Sequence, residues 1–108
     1  MNSRQYKLKA TGRFWNDFSH AADYIGKVLK NPIAAEALLD QLVSRARTLA
    51  ASGFPEATKP YFSPPETTAA YYALPVGNYL AFYVVTDDMI EFRRFLYGRS
   101  DLRRRFGE

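Results

Sequence analysis

The run Leu74-Pro75-Val76-Gly77-Asn78-Tyr79-Leu80-Ala81-Phe82-Tyr83-Val84-Val85-Thr86-Asp87-Asp88-Met89-Ile90-Glu91-Phe92 decides how this chain folds. Tyr79 to Val85 is almost wholly apolar, the composition of a central strand covered on both faces. Pro75-Val76-Gly77-Asn78 before it and Asp87-Asp88 after it are turn sequences. Thr67 to Leu74 upstream and Met89 to Tyr97 downstream supply flanking strands. Three consecutive strands with short turns make an antiparallel meander.

Upstream of the meander, residues 52–66 hold four of the chain's six prolines and read as a loop. It carries Phe54 and Phe62, expected to pack on the core. Before the loop lie two amphipathic segments. Residues 13–30 place Phe14, Phe18, Ala21, Ala22, Ile25, Val28 and Leu29 at helical spacing. Residues 33–51 do the same with Ala35, Leu38, Leu42, Ala46 and Leu49. Asn31-Pro32 ends one helix and starts the next, since proline fits the first helical turn, so the pair forms an αα-hairpin. His20 sits near the first apolar stripe and reads as a partly buried structural side chain. At the start of the chain, Tyr6, Leu8 and Ala10 alternate with Gln5, Lys7 and Lys9 as in a half-buried strand. Thr11 is placed to cap the first helix. The order β-α-α-β-β-β specifies an α+β domain, a curled antiparallel sheet packed against an αα-hairpin.

Composition bounds what this domain does. The chain has 108 residues, 47% of them hydrophobic and 16% aromatic, enough for one core and a single domain spanning 1–108. Without cysteine it has no thiolate nucleophile or cysteine-ligated metal, and one histidine makes a histidine-rich metal centre unexpected. The expectation is no metal and no cofactor. No apolar run has the roughly 20 residues of a membrane span, and Met1 to Tyr6 lacks a signal-like apolar stretch. A cytoplasmic protein with no membrane partner is expected. A phosphate-binding glycine loop, a Gly-x-Ser-x-Gly elbow and carboxylates at cleft spacing are all missing, which disfavours a conventional metabolic enzyme.

The net charge of +4 is unevenly distributed. Residues 1–30 carry six basic side chains against Asp17 and Asp23, and residues 89–108 carry six arginines against Glu91, Asp101 and Glu108. The middle of the chain is mildly acidic. If the two ends meet, they form one positive face suited to phosphate or to an acidic partner. The last strand concentrates the question. Strict alternation puts Ile90, Phe92, Arg94 and Leu96 on one face and Glu91, Arg93, Phe95 and Tyr97 on the other. An arginine on the packed face must be paired, for instance with Glu91 or Asp101, end-placed or re-aimed by a bulge. Held on a strand and aimed outward, it would instead bind phosphate through its planar fork. Arg94, Arg99, Arg103, Arg104 and Arg105 together form an anion-binding footprint.

Several stretches resemble the RelE/ParE superfamily, the toxins of bacterial type II toxin–antitoxin systems. Leu74 to Val85 looks like that family's central hairpin. Arg94-Phe95-Leu96-Tyr97-Gly98-Arg99-Ser100-Asp101 is similar to its closing motif, in which many relatives have a histidine where Tyr97 stands. Tyr24-Ile25 with Asn31-Pro32-x-Ala34-Ala35 matches its helical hairpin. The resemblance implies a growth-inhibiting toxin held in a hetero-oligomer with a cognate antitoxin, an acidic and partly disordered chain. It implies either a metal-independent endonuclease acting on ribosome-bound mRNA, placed marginally first, or a DNA gyrase inhibitor without nuclease activity. An inactive relative acting only as a binding partner or co-repressor is the third reading. In the nuclease reading Arg94, Tyr97 and Arg99 are the catalytic candidates, with Arg93, Arg103, Arg104 and Arg105 binding nucleic acid. Tyr72, Leu80 and Phe106 stand where RNA-cleaving relatives carry arginine, arginine and tyrosine.

Overall fold

The structure, a computed structural model, describes residues 6–52 and 70–98. In chain order it contains β1 (Lys7–Ala10), α1 (Gly12–Asp23), a π-helical turn (Tyr24–Val28), α2 (Pro32–Ser52), β2 (Tyr72–Val76), β3 (Tyr79–Thr86) and β4 (Met89–Tyr97). The α+β order expected from the sequence is the order observed. The 52–66 loop, with Phe54 and Phe62, lies outside the described residues apart from Ser52.

Thr11 caps α1 as expected: its hydroxyl accepts from the Phe14 N–H at 3.1 Å. The first helix does not run unbroken to residue 30. After Asp23 it widens, and the Leu29 N–H bonds to the Tyr24 carbonyl, five residues back, at 3.0 Å. Lys30 then adopts φ +54°, and Asn31 caps α2 by accepting from the Ala34 N–H at 3.0 Å. Asparagine therefore starts the second helix while Pro32 occupies its first position, as the sequence required.

The sheet order is β1-β4-β3-β2. The β2–β3 and β3–β4 pairs are the expected antiparallel meander, but β1 runs parallel to β4, with Lys7 opposite Met89 and Ala10 opposite Phe92. The sheet is thus mixed, because the α1–α2 crossover returns the chain to the far side of the meander. The first turn is also tighter than expected. Pro75 and Val76 belong to β2, and Gly77-Asn78 alone reverses the chain, with Gly77 at φ +60°. Proline is tolerated there because β2 is an edge strand among the described residues.

One face of the sheet packs on the hairpin. Phe14, Phe18 and Ala21 from α1, and Leu38, Leu42 and Ala46 from α2, meet Val76, Ala81, Tyr83, Ile90, Phe92 and Phe95. Phe14 anchors this core, with ring centroids 5.6 Å from Phe92 and 5.7 Å from Phe95. In β1 only Ala10, with the neighbouring Tyr6, joins the cluster; Leu8 is 42% exposed. His20 is exposed rather than partly buried, since α1 turns the Phe14–Phe18–Ala21 stripe inward and His20 outward.

Burial pushes the Tyr83 phenol up from 10 to about 12, with the neighbouring Tyr72 phenol adding to the shift. The unfolded chain loses this proton first, so stability is fully present below pH 10 and falls as pH rises from 10 to about 12. Chemical denaturation across that window is expected to show the loss, and Tyr83→Phe is expected to flatten it.

Candidate functional site

The geometry of the site follows from a break in β4. Phe82 of β3 pairs with Arg94 and the next residue, Tyr83, pairs with Phe92, leaving Arg93 as an extra residue in β4. This bulge reverses the alternation. Ile90 and Phe92 face the helices before it, and Phe95 faces them after it. Strict alternation along the strand, the expectation from sequence, therefore fails at Arg93, and Phe95 gains its place in the core.

Arg94 is 6% exposed, the one charged residue among the buried side chains. Its Nε donates to Asp17 Oδ2 at 2.7 Å and its Nη2 to Asp17 Oδ1 at 3.3 Å. Asp17 Oδ2 also accepts from the Phe95 backbone N–H at 3.0 Å. The β1–β4 ladder ends at Phe92, so the Asp17 carboxylate takes over as the partner of β4 where β1 has stopped. A buried guanidinium needs such a two-pronged partner, because desolvation of an isolated charge is expensive. The carboxylate comes from α1 rather than from Glu91 or Asp101, the partners suggested by the sequence.

Arg93 takes a separate environment. Its Nε donates to Glu91 Oε1 at 2.7 Å and its Nη1 to the Tyr71 hydroxyl at 3.5 Å. Its guanidinium lies 5.9 Å from the centre of the Tyr71 ring. The hydrogen bond to Tyr71 and then the Glu91 carboxylate hold its pKa above the ordinary arginine value, against the effect of burial. A cavity of about 280 Å³ is lined by Thr11, Arg13, Tyr71, Arg93 and Arg94.

Tyr97 lies elsewhere. It is 41% exposed and lines a cavity of about 480 Å³ with Tyr24, Ile25, Leu29, Asn78 and Tyr79. The Tyr79 ring stacks on Phe95 with centroids 5.1 Å apart, and Tyr97 meets Tyr79 edge-on at 5.6 Å. Burial, then Tyr24 and Tyr97, raise the Tyr79 phenol, so this aromatic pocket keeps a neutral hydroxyl at physiological pH. A third concavity of about 230 Å³ lies between β1, α1 and α2, lined by Leu8, Phe14, Trp15, Leu42 and Val43 together with Lys9 and Arg47.

Of the residues singled out from the sequence, the structure puts Arg94 and Tyr97 in different cavities and gives Arg94 a structural partner. Arg99, Arg103, Arg104 and Arg105 lie outside the described residues. Sequence reasoning missed Asp17, Arg13, Tyr71, Tyr24 and Asn78. For Asp17 a signal was present: a carboxylate between Phe14, Phe18 and Ala21 on a buried stripe, with an arginine to be satisfied on a facing strand. Among the described residues no group of three His, Asp or Glu side chains is placed to hold a metal, and no helix is long and apolar enough to cross a membrane.

A family model described as the ParE toxin of the type II toxin–antitoxin system parDE matches residues 8–102. In structure the chain is similar to a chromosomal ParDE toxin–antitoxin system from P. aeruginosa, with a TM-score of 0.66 at 19% identity over 88% of this chain and 98% of that one. Two structures of the E. coli DinJ-YafQ toxin–antitoxin complex align with TM-scores of 0.49 and 0.47, at 15% and 18% identity, each over 86% of this chain and 92% and 93% of the other. No curated protein matches by sequence.

Removing the Asp17 carboxylate strands a buried guanidinium and the Phe95 N–H together. Asp17→Ala is expected to cost about 3–5 kcal/mol of stability, the range for breaking a buried ion pair, as read from urea unfolding midpoints. A cost below about 1 kcal/mol would mean that the pair behaves like an exposed one.

Proposed function

The chain belongs to the ParE toxin family of type II toxin–antitoxin systems, and from that membership we propose that it arrests growth by docking on DNA gyrase rather than by cutting mRNA on the ribosome. The observation that carries this reading is the separation of Arg94 from Tyr97. Metal-free RNA cleavage needs fixed positive charge and a proton donor converging on one phosphate. Here the Arg94 guanidinium is turned onto Asp17 and lines one cavity, while the Tyr97 phenol lines another. A docking toxin needs no such convergence; it needs exposed anchors. The aromatic pocket around Tyr24, Tyr79 and Tyr97 is of that kind, since tyrosines give large contact area with few rotors.

The partner that restrains the toxin is a cognate antitoxin, bound in a hetero-oligomer. The concavity between β1, α1 and α2 suits an acidic amphipathic segment: Trp15, Leu8 and Val43 offer apolar surface, and Lys9 and Arg47 lie beside them. Such a segment, disordered when free, orders as it binds.

Pulse-labelling after induction of the chain without its antitoxin tests the target. DNA synthesis is expected to fall before protein synthesis, and purified gyrase is expected to lose supercoiling activity when the chain is added. Protein synthesis halting first, with newly cut messenger ends, would overturn the gyrase reading in favour of RNA cleavage. No change in either would count against toxicity itself.

A further inference from the structure

We propose that the cavity formed by Thr11, Arg13, Tyr71 and Arg93 is a phosphate-binding site, separate from the aromatic pocket and from the antitoxin-facing groove. Three guanidinium groups, Arg13, Arg93 and Arg94, and two hydroxyls line it, and its lining contains no carboxylate. The nearest acids are already engaged: Asp17 holds Arg94, and Glu91 pairs with Arg93 at 2.7 Å and with Lys9 at 3.8 Å. What faces the space is therefore positive charge and hydroxyl hydrogen, the donor set that suits a tetrahedral dianion or a phosphodiester.

Each element supplies its donor from a fixed position. The bulge sets Arg93 out of the ladder, and its bonds to Glu91 and Tyr71 hold the guanidinium while leaving Nη2 without a partner among the described residues. Arg13 sits in the first turn of α1, which contains no acidic residue. Among the described residues no carboxylate pairs with it. A cation at that end of a helix is opposed by the helix dipole, so a bound anion relieves a repulsion built into the fold. Thr11 ties the site together: its hydroxyl caps α1 and lies 3.4 Å from the Arg93 carbonyl. The volume of about 280 Å³ exceeds what a single ion fills and accommodates a phosphate with its ester substituents.

The same chemistry is offered by a nucleic-acid backbone and by free phosphate, and the two are separable. The full chain is titrated with inorganic phosphate while the backbone amide signals of Thr11, Gly12, Arg13 and Arg93 are followed by NMR. A labelled DNA duplex of arbitrary sequence is titrated in parallel by fluorescence anisotropy at several salt concentrations. Phosphate is expected to move those four signals together. Arg13→Gln and Arg93→Gln are each expected to weaken duplex binding about tenfold, the usual scale for a charged hydrogen bond. The salt slope is expected to fall by about 0.9 in each variant, the change for one phosphate no longer neutralised. Arg13→Gln is the cleaner variant, because that side chain is exposed and its loss leaves the fold intact. Signals that move with phosphate while the duplex slope stays unchanged would assign the site to a small phosphate ligand and overturn its role on nucleic acid. Signals that do not move, or that move equally in the Arg13→Gln/Arg93→Gln double variant, would overturn the site.

Discussion

The contact between Asp17 and Arg94 sets the terms for the rest of this structure. A carboxylate on the buried side of α1 accepts two bonds from one guanidinium and a third from the Phe95 backbone. It thereby joins the first helix to the last strand at the point where β1 ceases to pair with β4. Removed from water, neither charge is tolerable alone, so α1 and β4 have little freedom to slide relative to each other. The helix register and the position of the β4 bulge are mutually fixed.

That constraint divides the surface. Because β4 bulges at Arg93, two adjacent arginines take different roles: Arg94 turns in to Asp17, and Arg93 turns out to Glu91 and Tyr71. Beyond the bulge, parity is reversed, so Phe95 enters the core and Tyr97 stands beside Tyr79 and Tyr24. The cationic and aromatic features of β4 are thus distributed over two cavities instead of one. A surface of this kind is better matched to recognition at several points than to acid–base chemistry at one atom.

The architecture was legible in the sequence because it rests on periodicity and turn chemistry, which are local. The meander between Tyr72 and Tyr97, the Asn31-Pro32 junction and the Thr11 cap could all be read without coordinates. The π-helical turn could not, since one extra residue per turn leaves the apolar spacing of Ile25, Val28 and Leu29 almost unchanged. The parallel pairing of β1 was hidden because a half-buried strand alternates identically in either direction. For the site, the need of a strand arginine for a carboxylate or a bulge was readable, and both are present. The partner was not, because Asp17 lies 77 residues from Arg94 in the chain and only the packing of α1 brings them together. The contribution of Arg13 and Tyr71 to the Arg93 cavity is non-local in the same way.

The claim that Arg94 supports the fold and does no chemistry is tested most directly by the double variant Asp17→Asn/Arg94→Met. Asparagine keeps an acceptor for the Phe95 N–H, and methionine fills the space of the arginine stem without a charge to satisfy. The measurement is growth arrest on induction, made alongside the circular dichroism of the purified variant. A structural role for Arg94 requires a native spectrum with growth arrest retained. A native spectrum with growth arrest abolished would contradict that role, and would return Arg94 to the site of action.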